Sequence, residues 1–403
     1  MAPLTPDFCH HPWRPLDAAH LDHDHVVVRW ADGQRYRAYN LWLAENVVGL
    51  GLDPSTREGI LDPSEFPEPT ALRRVDLGSD GRLLLRWELP GGPVDAEVHP
   101  GWLRSVADGA ATPWSLLPTP RPWTAADMAE PPTFSVTDGD ATSDPAHDDA
   151  ALLGFLDSAC RHGVARLRGA PPSLDYLPLL ARRIGPIRGS NFGPTFTVEA
   201  RTQPDSTANT GFSLGQHTDL PTRETPPGFQ VLHCVENTVA GGWSRLTDGL
   251  ALVGAMAEEQ PEHYEALTTL RWTFMNRAPG EDHRWCGPVI DHVHGPEPLT
   301  IRAFYPVRTA PAMDAADVPR AYAALKAFSA LAHDPRFRIR YPFEPGDLVI
   351  FDNRRVLHGR DEFEPGTGTR QLHGCYLDHD DLYSRLRVLI RNQSSTDQGG
   401  TTT

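Results

Sequence analysis

Between Phe229 and Leu377 the chain is cut into short apolar runs separated by turn residues, and that pattern narrows the folds open to it. Phe229–Val235 and Trp243–Leu246 flank Ala240-Gly241-Gly242, while Phe337–Tyr341 and Leu348–Phe351 flank Pro345-Gly346-Asp347. Arg370–Leu377 supplies a further run. Runs this short are strand-length, and tight connections suit antiparallel neighbours rather than the long crossovers of a parallel sheet. The expected architecture is mainly β with helices, closed as a jelly-roll barrel. Helical spacing is confined to Asp149–Cys160, Leu174–Ile184, Leu250–Gln260 and Val318–Ala332, with a strand expected at Val164–Leu167.

The N-terminal part reads differently. Residues 1–19 are Pro-rich and expected to be irregular. Val26–Trp30 and Tyr36–Trp42 flank an Asp32-Gly33 turn, and Leu83–Leu89 and Val94–Val98 flank Gly91-Gly92-Pro93, predicting two hairpins. Residues 20–106 are therefore expected to form a small β-rich domain. Residues 107–148 read as a connection laid over the surface, with Trp114 and Trp123 as isolated anchors. The barrel domain is expected over 149–391, and the polar stretch 392–403 is expected to be disordered.

A formal charge of −16 argues against nucleic acid or an anionic membrane as partner. No apolar run approaches the ~20 residues needed to span a bilayer, and no signal pattern opens the chain, so a cytoplasmic protein is expected. The five cysteines are scattered without a C-x-x-C pair, which disfavours a disulfide framework or a thiolate zinc site.

His-x-Asp occurs four times, at His20/Asp22, His147/Asp149, His217/Asp219 and His379/Asp381. The first two lie in polar, acidic stretches and the last follows a strand end, contexts that suit solvated surface or turns. His217-Thr218-Asp219 instead precedes the apolar Phe229–Val235 run. On a strand, residues i and i+2 share a face, so both side chains reach one ion. His358 follows Leu348–Leu357, where a buried strand is expected to emerge into a turn, and Arg370 comes shortly after. Two imidazoles and one carboxylate leave open positions on Fe(II). A guanidinium beyond the second histidine can clamp the distal carboxylate of a chelating co-substrate. A barrel that binds metal without catalysis is the remote alternative.

Longer stretches carry a family resemblance. Gly215–Pro221, Pro226–Cys234, Phe351–Arg360 and Arg370–Tyr376 resemble the γ-butyrobetaine hydroxylase family of Fe(II)- and 2-oxoglutarate-dependent oxygenases, and the likeness runs from about Val26 to Arg391. It implies a double-stranded β-helix catalytic domain, Fe(II), 2-oxoglutarate and O2 as cofactor and co-substrates, and a homodimer. His217, Asp219 and His358 become metal ligands, and Arg370 the partner of the 2-oxoglutarate C5 carboxylate. Ser244, Leu232 and Ser206 take co-substrate positions. Because Asp219 is retained, no ligand position is vacated for halide. Hydroxylation and desaturation both begin with hydrogen abstraction, so the sequence leaves both open.

Two departures from the family stand out. Relatives carry zinc in the N-terminal domain, but Val47, Gly49 and Leu52 occupy the expected cysteine positions and cannot bind it, so that domain is expected to lack zinc. Relatives also hold a trimethylammonium group in an aromatic cage. Phe192 and Phe196 keep two aromatic positions, spaced to share a strand face, whereas Asn209 and Leu220 replace tyrosines. Arg302-Ala303-Phe304-Tyr305 lacks the amides that meet the substrate carboxylate in relatives. Arg223, Asn276 and Arg277 are left, with Tyr305, as candidates for the substrate's anion. Guanidinium donors suit a doubly charged phosphonate. The expected substrate is thus a small zwitterion, an amino- or trimethylammonium phosphonate, with an amine carboxylate or another tailoring oxidation as the alternative; γ-butyrobetaine itself is not expected.

Overall fold

The computed structural model describes residues 2–399 except 68–70, 111, 113, 138–139, 200–208, 277–279, 292–298, 304 and 365, with backbone alone from 394 onward. Two of the candidate residues, Ser206 and Arg277, lie outside the described residues. The chain divides into two compact units, Met1–Ser115 with Arg391–Thr403, and Leu116–Ile390.

In the first unit β1 (Leu16–Asp22), β2 (His25–Trp30) and β3 (Arg35–Tyr39) form one antiparallel sheet, followed by α1 (Asn40–Glu45). β4 (Leu72–Leu77), β5 (Leu83–Leu89) and β6 (Gly92–Val98) form a second, closed by α2 (Pro100–Ala107). Strict alternation buries Val26, Val28 and Trp30 from one sheet and Leu83, Leu85 and Trp87 from the other in a shared apolar core. Both expected hairpins are present. The expected strand through Trp42 stops at Tyr39, because Leu43 and Ala44 are buried from a helix instead. β1 begins inside the stretch expected to be irregular. Its polar His20 and Asp22 and a register shift near Leu16 disguise its period.

The second unit opens with β7 (Thr133–Ser135), α3 (Asp149–His162), β8 (Val164–Arg168), α4 (Tyr176–Ile184) and β9 (Thr195–Glu199). β10 (Leu214–His217), β11 (Phe229–Asn237) and β12 (Ser244–Asp248) precede α5 (Gly249–Glu259) and α6 (Pro261–Thr269). Short strands β13 (Trp272–Met275), β14 (Arg284–Gly287), β15 (Ile290–Asp291), β16 (Thr300–Ile301) and β17 (Arg308–Pro311) lead to α7 (Val318–His333). β18 (Arg338–Tyr341), β19 (Leu348–Asp352), β20 (Val356–Arg360), β21 (Arg370–Leu377) and α8 (His379–Gly399) complete the chain.

A six-stranded sheet, β7-β8-β19-β11-β21-β9, and a four-stranded sheet, β10-β20-β12-β18, make the jelly roll. Leu246, Ile339 and Tyr341 of the smaller sheet pack against Cys234, Val349, Phe351 and Leu372 of the larger between the layers. α3 and α4 cover the outer face of the larger sheet with Leu156, Leu177 and Leu180 against Val231, Ile350 and Cys375.

Three expectations are corrected here. Residues 107–148 are more than a surface connection, since β7 pairs in parallel with β8 and Trp123 is buried, its indole N–H donated to the His162 carbonyl at 2.7 Å. A helix was missed after Gln260, where Pro261 at the first helical position restarts the coil as α6. The polar tail continues α8 to Gly399 rather than starting a disordered segment at 392.

Candidate metal and co-substrate site

His217 ends β10, and the register sets it opposite His358 on β20 with ring centroids 4.1 Å apart. The run expected as one strand is two, β19 and β20, joined by Asn353-Arg354-Arg355, so His358 sits mid-strand rather than in a turn. A buried ion pair fixes that junction, with Arg355 donating to both oxygens of Asp248 at 2.8 and 3.0 Å.

Asp219 lies two residues beyond the end of β10, in a bend, so strand alternation does not place it. Asn353 does. Its Oδ1 accepts from the Asp219 N–H at 2.7 Å and its amide donates to the Asp219 carbonyl at 3.1 Å. Asp219 Oδ1 then lies 3.4 Å from His217 Nε2 and 3.8 Å from His358 Nε2. Tyr376, from β21 in the opposite sheet, donates its hydroxyl to Asp219 Oδ2 at 2.8 Å. Neither Asn353 nor Tyr376 was singled out in the sequence. Tyr376 had a signal, because Arg370, Leu372, Gly374 and Tyr376 alternate onto one face of β21.

The donor set fits a divalent transition metal. His217 Nδ1 lies 2.8 Å from the Gly215 carbonyl, an arrangement that puts the proton on Nδ1 and leaves Nε2 as a lone pair. Burial and the neighbouring His217 press His358 down to about 3, so its ring is neutral. Burial alone would raise Asp219, but His358, His217 and the Tyr376 hydrogen bond outweigh it and hold the carboxyl below its usual range. His217, Asp219 and His358 form one of two groups with metal-binding potential among the described residues.

Arg370 opens β21, only 5% exposed, with no hydrogen-bond partner for its Nε. Desolvation lowers its guanidinium to about 10, still cationic at neutral pH. No carboxylate pairs with it among the described residues, and a buried cation without a counter-charge is costly. A co-substrate carboxylate would supply that charge. Gly242, in the left-handed region at φ +65°, brings the turn before β12 against Arg370, where an added Cβ would stand 3.4 Å from its Nε. Ser244, two residues on, heads β12 and faces Tyr341 of β18 across the strand pair. Leu232 packs over Gly374.

Beside Tyr376 the aromatic candidates form a connected wall. Phe192 and Phe196 have ring centroids 6.1 Å apart, and Phe196 and Tyr376 are 5.1 Å apart. A Cβ at Gly374 would stand 2.5 Å from the Phe196 ring, so glycine is what lets that ring lie over β21. Phe192 precedes β9, so the two phenylalanines meet through a turn rather than by sharing a strand face. Leu220 directly follows Asp219 at φ +51°, a conformation costly for a branched side chain and one that concentrates at functional sites. Asn209 is buried, next to the Thr210–Phe212 carbonyls that Arg360 ties to β20.

The anion candidates separate. Arg223 donates to Asn191 Oδ1 at 3.3 Å, one residue from Phe192, and approaches Glu281 at 4.0 Å. Asn276 is engaged through its backbone with His283. Tyr305 turns instead to Arg308, whose guanidinium lies 5.3 Å from its ring and also covers Trp272 and Tyr322. Arg302, passed over in the sequence, is 2% exposed and donates to the carbonyls of Pro221, Arg223 and Glu224 at 2.6–2.8 Å. It clamps the loop that carries Leu220 and Arg223.

The chain is similar to known proteins over most of its length. Residues 127–376 match the family described as taurine catabolism dioxygenase TauD, TfdA family. A gamma-butyrobetaine dioxygenase of Pseudomonas sp. (strain AK-1) is 38% identical over 381 residues, covering 94% of this chain and 97% of that protein. The human gamma-butyrobetaine dioxygenase is 32% identical over 58% of this chain and 62% of its own, and human trimethyllysine dioxygenase is 30% identical over 59% and 57%. No helix among the described residues is long and apolar enough to cross a membrane. The chain belongs to the TauD, TfdA family, and is an Fe(II)- and 2-oxoglutarate-dependent dioxygenase of its γ-butyrobetaine hydroxylase branch.

Proposed function

We propose that this dioxygenase hydroxylates an unactivated C–H bond of a small zwitterion whose cationic end is a quaternary ammonium group. The observation that carries the reading is the aromatic wall Phe192–Phe196–Tyr376, whose last member is hydrogen-bonded to Asp219. Aromatic faces attract such cations, more strongly where water is excluded. A head group held there keeps the carbon next along the chain close to the metal ligands.

When bound, Fe(II), 2-oxoglutarate and O2 supply the oxidation, which couples loss of CO2 and formation of succinate to oxygen insertion. The protein's own part is to hold and orient. His217, Asp219 and His358 hold the metal, and Arg370 holds the distal co-substrate carboxylate with Ser244 and Leu232 at its sides. Tyr376 and Asn353 fix the acid's direction.

For the substrate's anion we propose a phosphonate, met by Arg223. A guanidinium fork matches a doubly charged oxyanion better than amide donors do, and the Arg302 clamp holds the Arg223 backbone. A carboxylate betaine is the second reading, favoured by the 38% identity to the Pseudomonas gamma-butyrobetaine dioxygenase. Succinate release across trimethylammonium phosphonates, γ-butyrobetaine and simple amino acids separates the two. Turnover of γ-butyrobetaine without any phosphonate would refute the phosphonate reading, and turnover of neither class would refute the ammonium wall. A cytoplasmic location and a homodimer belong to the same proposal, the latter read by light scattering of the purified chain.

A further inference from the structure

The second group with metal-binding potential lies in the N-terminal unit, far in sequence from the catalytic triad. Asp7, Cys9 and His11 place one carboxylate oxygen, the thiol sulfur and one imidazole nitrogen within 4.8 Å of one another. His11 Nε2 stands 2.9 and 3.2 Å from the two Asp7 oxygens, and the Cys9 N–H donates to Asp7 Oδ1 at 3.1 Å. Arg391 Nη1 approaches Cys9 Sγ at 3.6 Å. The His11 side chain is only 12% exposed.

Three chemically different donors at alternate positions converge because the backbone bends between them. Phe8 takes φ +53°, a left-handed conformation that a bulky residue rarely adopts. The segment is also pinned to the folded unit. Arg57 donates to the Thr5 carbonyl at 3.0 Å, Thr5 donates to the Cys9 carbonyl at 3.2 Å, and the Trp13 indole donates to the Asp80 carbonyl at 2.9 Å. The Pro12 carbonyl sits so close over Gly101 that a Cβ there would collide with it at 2.0 Å. A stretch with no helix or strand of its own is thereby held with three ligand atoms together.

We propose that Asp7, Cys9 and His11 bind a zinc ion. Thiolate, imidazole and carboxylate are the ligands zinc accepts, and a thiolate disfavours the hard cations Ca²⁺ and Mg²⁺. Bonds of about 2.0–2.3 Å in a tetrahedron put ligand atoms roughly 3.3–3.7 Å apart, so the Asp7–His11 pair opens by only a few tenths of an ångström to admit the ion. Binding releases the Cys9 thiol proton to solvent, and a water fills the fourth position. The neighbouring His99, its ring 6.3 Å from that of His11, is not a ligand. Its Nδ1 accepts from the Gly101 and Trp102 N–H groups at 3.1 and 3.2 Å as the cap of α2, which keeps the proton on Nε2. The expectation of a zinc-free N-terminal unit rested on positions 47, 49 and 52 and on the closeness of His99 to Trp102, and this set uses none of those residues.

The test is zinc content of the full-length protein carrying His217→Ala and Asp219→Ala, so that the catalytic site no longer competes, after dialysis against a weak chelator. One zinc per chain is expected. Cys9→Ser or His11→Ala should lower zinc affinity by more than the about 10–100-fold typical of losing an outer-shell partner, with near-ultraviolet dichroism unchanged to show that the unit still folds. Cobalt replacement gives a second readout, a thiolate-to-metal charge-transfer band present in the parent and lost in Cys9→Ser. Zinc-free parent protein that fails to take up added zinc would overturn the proposal. So would zinc retained equally by the Cys9 and His11 variants, or retention lost only on changing His99.

Discussion

Removing the Tyr376 hydroxyl isolates one interaction at the centre of the site. The hydroxyl donates to Asp219 Oδ2 at 2.8 Å, while Oδ1 is the oxygen turned toward both histidines. Tyr376 is 2% exposed, and burial followed by the Asp219 charge raises its phenol well above the usual value, so it acts only as a neutral donor. Tyr376→Phe keeps the ring and its packing on Phe196 but leaves a buried carboxylate oxygen without its partner. A hydrogen bond to a charged group is worth about 1.5–3 kcal/mol. The lost direction appears in metal affinity because Oδ2 becomes free to rotate toward the ion. At about 1.4 kcal/mol per factor of ten, Fe(II) or Mn(II) affinity should fall about 10- to 150-fold. Anaerobic metal titration measures it directly, without turnover. The thermal midpoint of the metal-free protein serves as the check that the fold is intact. Metal affinity within about threefold of wild type would show that Asn353 alone orients Asp219 and would refute this reasoning.

Two further outcomes follow from the described geometry. Arg370→Leu removes the only cation assigned to the co-substrate's distal carboxylate, so the KM for 2-oxoglutarate should rise at least about 30-fold, from the about 2–5 kcal/mol of a lost buried charge partner, while metal titration stays unchanged; equal KM values would place that carboxylate elsewhere. His233 is fully buried beside His373, with neither ring nitrogen hydrogen-bonded, and burial, then His373, lowers it to about 4. The unfolded chain, with a usual value of about 6.5, therefore binds the extra proton first, so this group's stability contribution is complete above about pH 6.5 and is lost as pH falls toward 4, about 2 kcal/mol by pH 5. Urea unfolding at pH 7.5 and pH 5 should show that loss in wild type and a smaller one in His233→Leu; identical pH dependence would refute it.

What could be read from the chain and what could not divides along physical lines. Strand-length runs with Gly and Pro turns established the β class, because a period of two and tight turns are local properties of adjacent residues. β21 matched its expected limits for that reason. Among the elements that escaped, β1, β4, α6 and α8 have polar side chains breaking their apolar period, and α1 and α2 are too short to show a helical one.

For the site, the residue types and context around His217, Asp219, His358 and Arg370 singled out the candidate metal ligands and the candidate co-substrate clamp, and the fold brings the first three together. The sequence by itself determined the donor chemistry, since imidazole, carboxylate and guanidinium carry it wherever they sit. Only the tertiary structure decided the geometry. Cross-strand register set the two histidines side by side, Asn353 from the β19–β20 turn and Tyr376 from β21 aimed the acid, and Arg302 positioned the loop beyond it. Those roles depend on side chains far apart in sequence meeting at hydrogen-bond distance, and nothing in the spacing of one-dimensional text measures that distance. The same reason separates Tyr305, which the fold turns toward Arg308, from Phe196, which it turns toward the acid.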